Sequence, residues 1–206
     1  MADINLAVIY YSATGTTYDM ARTIESAAKE AGAEVRFRKV KELAPEEAIQ
    51  SNEGWGEHLR KTEDVELASN DDLEWADAII FGTPVRYGLP SAQLKQFIDG
   101  TGSLWQQGKL GNKVVSSFTS AATQHGGQET TLVALNNTFY HWGAIIVPTG
   151  YLDPIQFESG NPYGTSFTSN NGQLDPDETT NKAATYQAKR VVQIAGAVKR
   201  GMSQPA

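Results

Sequence analysis

The chain contains no cysteine. That excludes disulfides, thiolate nucleophiles, zinc–thiolate sites and iron–sulfur clusters. Any redox chemistry must therefore reside on a bound cofactor. Histidine is scarce as well: His58, His125 and His141 are scattered, and their spacing does not suit a metal, so no metal site is expected. No apolar run approaches the roughly 18 residues needed to cross a bilayer, so membrane insertion is not expected. Met1-Ala2-Asp3 lacks the basic region that opens a signal peptide, which makes the cytoplasm the expected compartment. An excess of positive charge is also missing. The formal net charge is −7, and an acidic surface repels phosphate backbones, so nucleic acid is not an expected partner.

What is present is an ordinary globular balance, 40% hydrophobic and 20% charged over 206 residues, enough for one large domain spanning residues 1–206. Leu6 to Tyr10 is a short continuous apolar run, as in a strand buried on both faces of a parallel sheet. The small polar residues Ser12 to Thr17 follow. Met20, Ile24, Ala28 and Ala31 then recur at helical spacing, closed by Gly32. Residues 33–40 read as a second strand. Residues 41–72 are polar and read as a loop with one or two short helical turns. Further strands are expected over 76–81, 113–118 and 143–147, and helices over 90–98 and 129–141. Residues 149–174 read as an irregular insertion, and a stretch of that length is usually functional. A last helix follows, with Asp175 as its cap, Pro176 in first position and Glu178 completing a capping box.

Strand and helix thus alternate about five times, which implies an α/β fold: a five-stranded parallel sheet with helices on both faces. Right-handed crossovers place the C-terminal ends of all strands at one edge, where ligands bind. Loops 12–17, 83–88 and 119–127 meet that edge. The loop Ser12-Ala13-Thr14-Gly15-Thr16-Thr17 leaves a strand and opens a helix, so its hydroxyls, its amides and the helix dipole can surround a phosphate. It has neither G-x-G-x-x-G nor the Gly-Lys-Ser/Thr of a P-loop, so a monophosphate fits better than a dinucleotide or triphosphate. Taken alone, it also fits an ordinary turn with a serine cap.

Ser12 to Thr17 resembles the flavodoxin signature for the phosphate of flavin mononucleotide (FMN). Gly82-Thr83-Pro84-Val85-Arg86-Tyr87-Gly88, Thr101-Gly102-Ser103-Leu104-Trp105, Thr123-Gln124-His125-Gly126-Gly127-Gln128-Glu129 and His141 resemble, in order and spacing, the WrbA-type NAD(P)H:quinone oxidoreductases. The likeness runs over about residues 4–198. It implies a flavodoxin-like three-layer sandwich with FMN as cofactor and NADH or NADPH as co-substrate. The implied reaction is two-electron reduction of quinone to hydroquinone, by ping-pong hydride transfer through FMN.

The resemblance also implies roles. Ser12, Ala13, Thr14, Gly15, Thr16 and Thr17 hold the phosphate. Thr83, Pro84, Val85, Arg86, Tyr87 and Gly88 run along the flavin ring. Ser120, Ala121, Ala122, Thr123, Gln124, His125 and Gly126 contact the ribityl chain and the flavin's other side. His141, from a neighbouring subunit of a homotetramer, joins the flavin pocket as the catalytic residue, and Trp105 walls the quinone pocket. Blander readings stay open for several of these: a surface ion pair for Arg86, a solvated loop residue for His125, a helix-end residue for His141, a core residue for Trp105. Thr14 is a departure, because many members carry an aromatic there, associated with the nicotinamide nucleotide. The rival reading is a flavodoxin-like single-electron carrier, which needs no enclosed substrate pocket.

Overall fold

Alternation along the first strand builds two layers at once. In a computed structural model, which describes residues 4–202, β1 spans Ile4–Tyr10. Leu6, Val8 and Tyr10 enter one hydrophobic cluster, and Ala7 and Ile9, with Tyr11 beyond the strand, enter another. Period two makes this unavoidable once both faces are covered. Met1-Ala2-Asp3 lies outside the described residues.

The helix α1 (Thr16–Glu30) buries Met20, Ile24 and Ala28 on the first face and ends before Gly32, which adopts a φ of 89°. It leads to β2 (Ala33–Lys39). The strands β3 (Ala78–Pro84) and β4 (Val114–Ala121) are fully buried, and β5 is only Ile145–Ile146. The strand order is β2-β1-β3-β4-β5, parallel throughout. Strand order reverses at β1, between its neighbours β2 and β3. A crevice at the C-terminal ends is expected at such a point.

Several elements differ from the sequence expectation. β3 and β4 run past their expected ends, because Thr83 pairs with Thr119 and Pro84 with Ser120. Pro84 lacks an amide hydrogen and is tolerated as the last residue of its strand. β5 is short because Gly143 (φ 68°) caps α7 (Gln128–Trp142) and Pro148 follows closely behind.

The stretch 41–72 holds more helix than expected: α2 (Glu46–Gln50), α3 (Glu53–Lys61) and the start of α4 (Asn70–Trp75). Asn52 caps α3 by accepting the Trp55 amide hydrogen at 3.2 Å. The inner positions of this segment are filled by His58 and Thr62, which are buried although they read as polar. α4 is anchored by Asp72, which completes a capping box with Ser69 and pairs with Arg36 and Arg38.

The helices α5 (Ala92–Asp99) and α6 (Gly102–Gln106) join α4 and α7 on the second face. The stretch 149–174 is partly regular. It contains α8 (Pro154–Ser159) and β6 (Ser166–Thr168), and β6 pairs with β4 along Thr119–Ala121. Because β3 occupies the other side of β4, β5 and β6 share one edge of it, each lying beside a different part of its length. The last helix, α9 (Glu178–Met202), packs Ala184, Ala188, Val191 and Ala195 beside α1. Its start is capped by Asp177, whose carboxylate accepts the Thr180 amide at 2.7 Å, rather than by Asp175. The helix begins at Glu178, so Asp177 is the residue within reach of its third amide.

Candidate active site

A cleft of about 240 Å³ opens where β1, β3 and β4 end. Its floor is the loop after β1. Ser12 is buried, and its Oγ accepts the Gly15 amide hydrogen at 3.1 Å, which folds the loop back on itself. Gly15 has a φ of 111°, a conformation that side chains rarely adopt, and it is the N-cap of α1. No side chain caps that helix. The first-turn amides therefore face the cleft with the positive end of the helix dipole behind them, the electrostatics an anion requires. Thr17 Oγ1 and Ser120 Oγ share a buried hydrogen bond of 2.9 Å, joining this loop to the end of β4.

Pro84, Val85 and Arg86 form one wall, and Ser120, Ala121 and Ala122 another. The Val85 amide donates to the Ser120 carbonyl at 2.8 Å, so the two walls are tied together. Among the described residues, Arg86 is the sole formally charged one lining the cleft. Asp19 stands behind Gly15; burial pushes its carboxyl up, with Asp175 adding and Lys61 opposing. An uncapped helix start, a glycine turn and hydroxyls converging on one corner fit a phosphate monoester.

Ser12, Ala13, Thr14, Thr16, Thr17, Pro84, Val85, Arg86, Ser120, Ala121 and Ala122 thus line one cleft. Thr83 is buried with its Oγ1 turned to Ser91, the cap of α5, and accepts the Ser91 amide at 2.9 Å. Tyr87 (φ 54°) projects fully into solvent. Gly88 lies against Gly127: a Cβ on Gly127 would stand 2.7 Å from the Gly88 Cα, so the two loops meet only because this position has no side chain. Thr123 and Gly126 are outside the cleft lining. Gln124 and His125 border a larger cavity of about 540 Å³ between the 122–127 loop, 158–180 and α7. Among the described residues, Glu129, Glu158 and Asp177 line that cavity and neither lysine nor arginine does, the wrong sign for a phosphate.

His141 and Trp105 meet each other but not the cleft. The Trp105 indole N–H donates to the His141 carbonyl at 2.8 Å, and Trp105 is 54% exposed. His141 is exposed near the end of α7, roughly 20 Å along the helix from Gln128 at ~1.5 Å per residue.

Sequence reasoning missed other lining residues: Asn52 and Trp55 from α3 and its cap, and Ser169, Asn171 and Gly172 after β6. Asn170 and Asn171 have positive φ, and Gly172 passes Thr14, its would-be Cβ 3.2 Å from Thr14 Oγ1. The Asn-Asn-Gly run was the available signal for that turn. His58, given no role from sequence, is buried beside the phosphate loop. Its Nδ1 lies 3.7 Å from where a Gly15 Cβ would stand, and its ring meets Tyr18 edge-on at 5.4 Å. Burial, then Lys61 and Lys39, hold its pKa down to about 4.

Comparison with known proteins shows the family and the fold. Residues 4–154 match the family model described as NADPH-dependent FMN reductase. A Deinococcus radiodurans protein named NAD(P)H dehydrogenase (quinone) is 45% identical over 194 residues, covering 94% of this chain and 96% of the relative. A protein of the same name from Methylocella silvestris is 42% identical, covering 93% and 97%. Among solved structures, a flavodoxin, WrbA-like protein from Agrobacterium tumefaciens superimposes with a TM-score of 0.68 at 24% identity, covering 95% of this chain and 99% of that one. A flavodoxin from the domain Archaea gives 0.60 at 16% identity, covering 95% and 99%. These structural likenesses bear on the fold, which is flavodoxin-like. Among the described residues no helix is long and apolar enough to cross a membrane.

Proposed function

This chain belongs to the NADPH-dependent FMN reductase family, and on that premise we propose that it is an FMN-dependent NAD(P)H:quinone oxidoreductase. One observation carries the reading: the uncapped start of α1 opens onto a cleft lined by Ser12, Ala13, Thr14, Thr16 and Thr17, Pro84 to Arg86 and Ser120 to Ala122, with Gly15 turning the loop behind that lining. The curated relatives at 42–45% identity carry the name of that activity over nearly the whole chain.

When bound, FMN supplies the two-electron chemistry that links a nicotinamide nucleotide to a quinone. The residues of the chain bind and orient. Amides of the 12–17 loop, with the Ser12, Thr14, Thr16 and Thr17 hydroxyls, hold the phosphate. Ser120, Ala121 and Ala122 border the ribityl chain. Pro84, Val85 and Arg86 would run along the ring, where the Arg86 guanidinium would favour negative charge. Both flat substrates would use the same open face in turn, as in ping-pong exchange.

The cleft is smaller than the roughly 300–1,000 Å³ of typical ligand pockets, so one chain grips part of the ligand and leaves the rest facing outward. His141 and Trp105 lie too far from their own cleft to act in it. A homotetramer in which a second copy supplies them would complete the pocket, with Trp105 against the quinone and His141 hydrogen-bonded to its oxygen, where it would steer a proton from solvent. One domain acts per site, and reduced nicotinamide nucleotide as donor points to the cytoplasm.

The test is anaerobic mixing of the FMN-loaded protein with NADH or NADPH while the oxidised flavin absorbance is followed, then addition of benzoquinone. Rapid bleaching followed by full recovery is the expected result. A flavin that binds but bleaches with neither nucleotide would overturn the enzyme and favour a single-electron carrier.

A further inference from the structure

Among the described residues, Trp55 is the one aromatic side chain that lines the cleft. It reaches there from α3, in the connection between β2 and β3. Its ring is pinned at the edge. The indole N–H donates to Glu42 Oε2 at 3.0 Å. The same oxygen accepts the Tyr11 hydroxyl at 2.8 Å. Glu42 Oε1 accepts Gln93 Nε2 at 2.7 Å and the Leu43 and Ala44 amides at 2.8 and 2.9 Å. Burial pushes the Glu42 carboxyl up, but the hydrogen bonds from Ala44, Gln93, Tyr11 and Leu43 outweigh it and hold it below the usual range.

One carboxylate thus joins the residue after β1, the helix after β3 and the helix that carries Trp55. Tyr11 is buried in the core, so the anchor point is fixed. A half-buried indole on a mobile connection would pay ordering entropy when a ligand arrives; one already held at its N–H pays less. A flat, apolar, pre-set surface in a cleft whose other walls are small or polar suits a planar aromatic ring.

We propose that Trp55 is the aromatic wall on which the flavin ring lies, and that Glu42 is its positioning residue. This rests on the FMN reading above and deepens it, since it names the residue that recognises the ring rather than the phosphate.

The experiment is titration of FMN into the full-length chain, following flavin fluorescence, for the wild type, W55A, W55F, E42A, E42Q and the W55A/E42A pair. An indole stacked on the ring quenches its emission. W55A is expected to bind FMN about ten-fold more weakly and to leave the bound flavin several-fold brighter. W55F should lie between W55A and the wild type. E42A is expected to move both readouts the same way by a smaller factor, and E42Q, which keeps an acceptor for the indole, should restore most of the loss. In the pair, E42A should add nothing to W55A, because its effect passes through the indole. A W55A protein with wild-type affinity and emission would overturn the proposal. Full additivity in the pair would overturn the role of Glu42. Should W55A fail to fold, W55F carries the test: wild-type brightness and affinity there would equally refute the stacking. A wild type that binds no FMN would instead refute the FMN reading itself, so the two failures are distinguishable.

Discussion

The cleft and the larger cavity lie at the same edge of the sheet and invite opposite ligands. The cavity has about 540 Å³ and the cleft about 240 Å³. Glu129, Glu158 and Asp177 face the cavity; a helix start without a side-chain cap, Ser and Thr hydroxyls and Arg86 face the cleft. Size therefore does not choose the site. The sign of the fixed charges and dipoles does, because an anion gains from amides at a helix start and loses beside carboxylates.

Removing the phosphate from the ligand should break this contrast most severely. Riboflavin is expected to bind about a thousand-fold more weakly than FMN, since charge-assisted hydrogen bonds at ~1.5–3 kcal/mol each are lost. Competitive fluorescence titration measures it, and near-equal affinities would mean that the helix start is not the anion site.

A second expected effect comes from His58 behind the cleft floor. Its folded pKa of about 4 lies below the 6.5 of a free imidazole. The unfolded chain takes up the proton first as pH falls. The stabilisation is thus complete above pH 6.5 and is lost progressively as pH falls toward about 4. The loss should approach roughly 3 kcal/mol at ~1.4 kcal/mol per pH unit. Urea unfolding at pH 7 and pH 4.5 should show it, and His58→Gln should flatten it.

Gly15→Ala is expected to weaken FMN about ten-fold, because the positive φ of 111° is one that L-residues rarely adopt, at a cost of ~1–3 kcal/mol, and the loop will open to avoid it. Equilibrium titration of the folded variant checks this. The smallest effect belongs to the cavity: Glu129→Gln with Glu158→Gln should leave FMN affinity within about two-fold of the wild type, as these carboxylates face away from the cleft. A gain of ten-fold or more would show that the cavity's charge reaches the flavin.

Much of this was legible beforehand. β1 and α1 announce themselves because burial on both strand faces and on one helix stripe writes an unbroken apolar run followed by a 3.6-residue period. The phosphate loop between them is local, so its spacing survives in the sequence. The connection 41–75 was not legible. Its inner positions hold His58, Thr62 and Asp72; the Thr62 hydroxyl is satisfied locally by the His58 carbonyl, but the burial of His58 and Asp72 is offset by the Tyr18 ring and by Arg36 and Arg38, contributed from elsewhere in the chain. Polar residues buried by distant partners carry no local hydrophobic signature.

The same division holds at the site. The sequence by itself determined the strand-to-helix alternation, the glycine turn at Gly15 and the hydroxyl-rich corner, because each depends on neighbours along the chain. Only the tertiary structure decided that Trp55, Glu42 and Gln93 converge beside that corner, that Gln124 and His125 turn to the acidic cavity, and that His141 and Trp105 stand at the far end of α7. These placements depend on crossover connections and helix lengths, which bring together or hold apart residues that no sequence spacing relates.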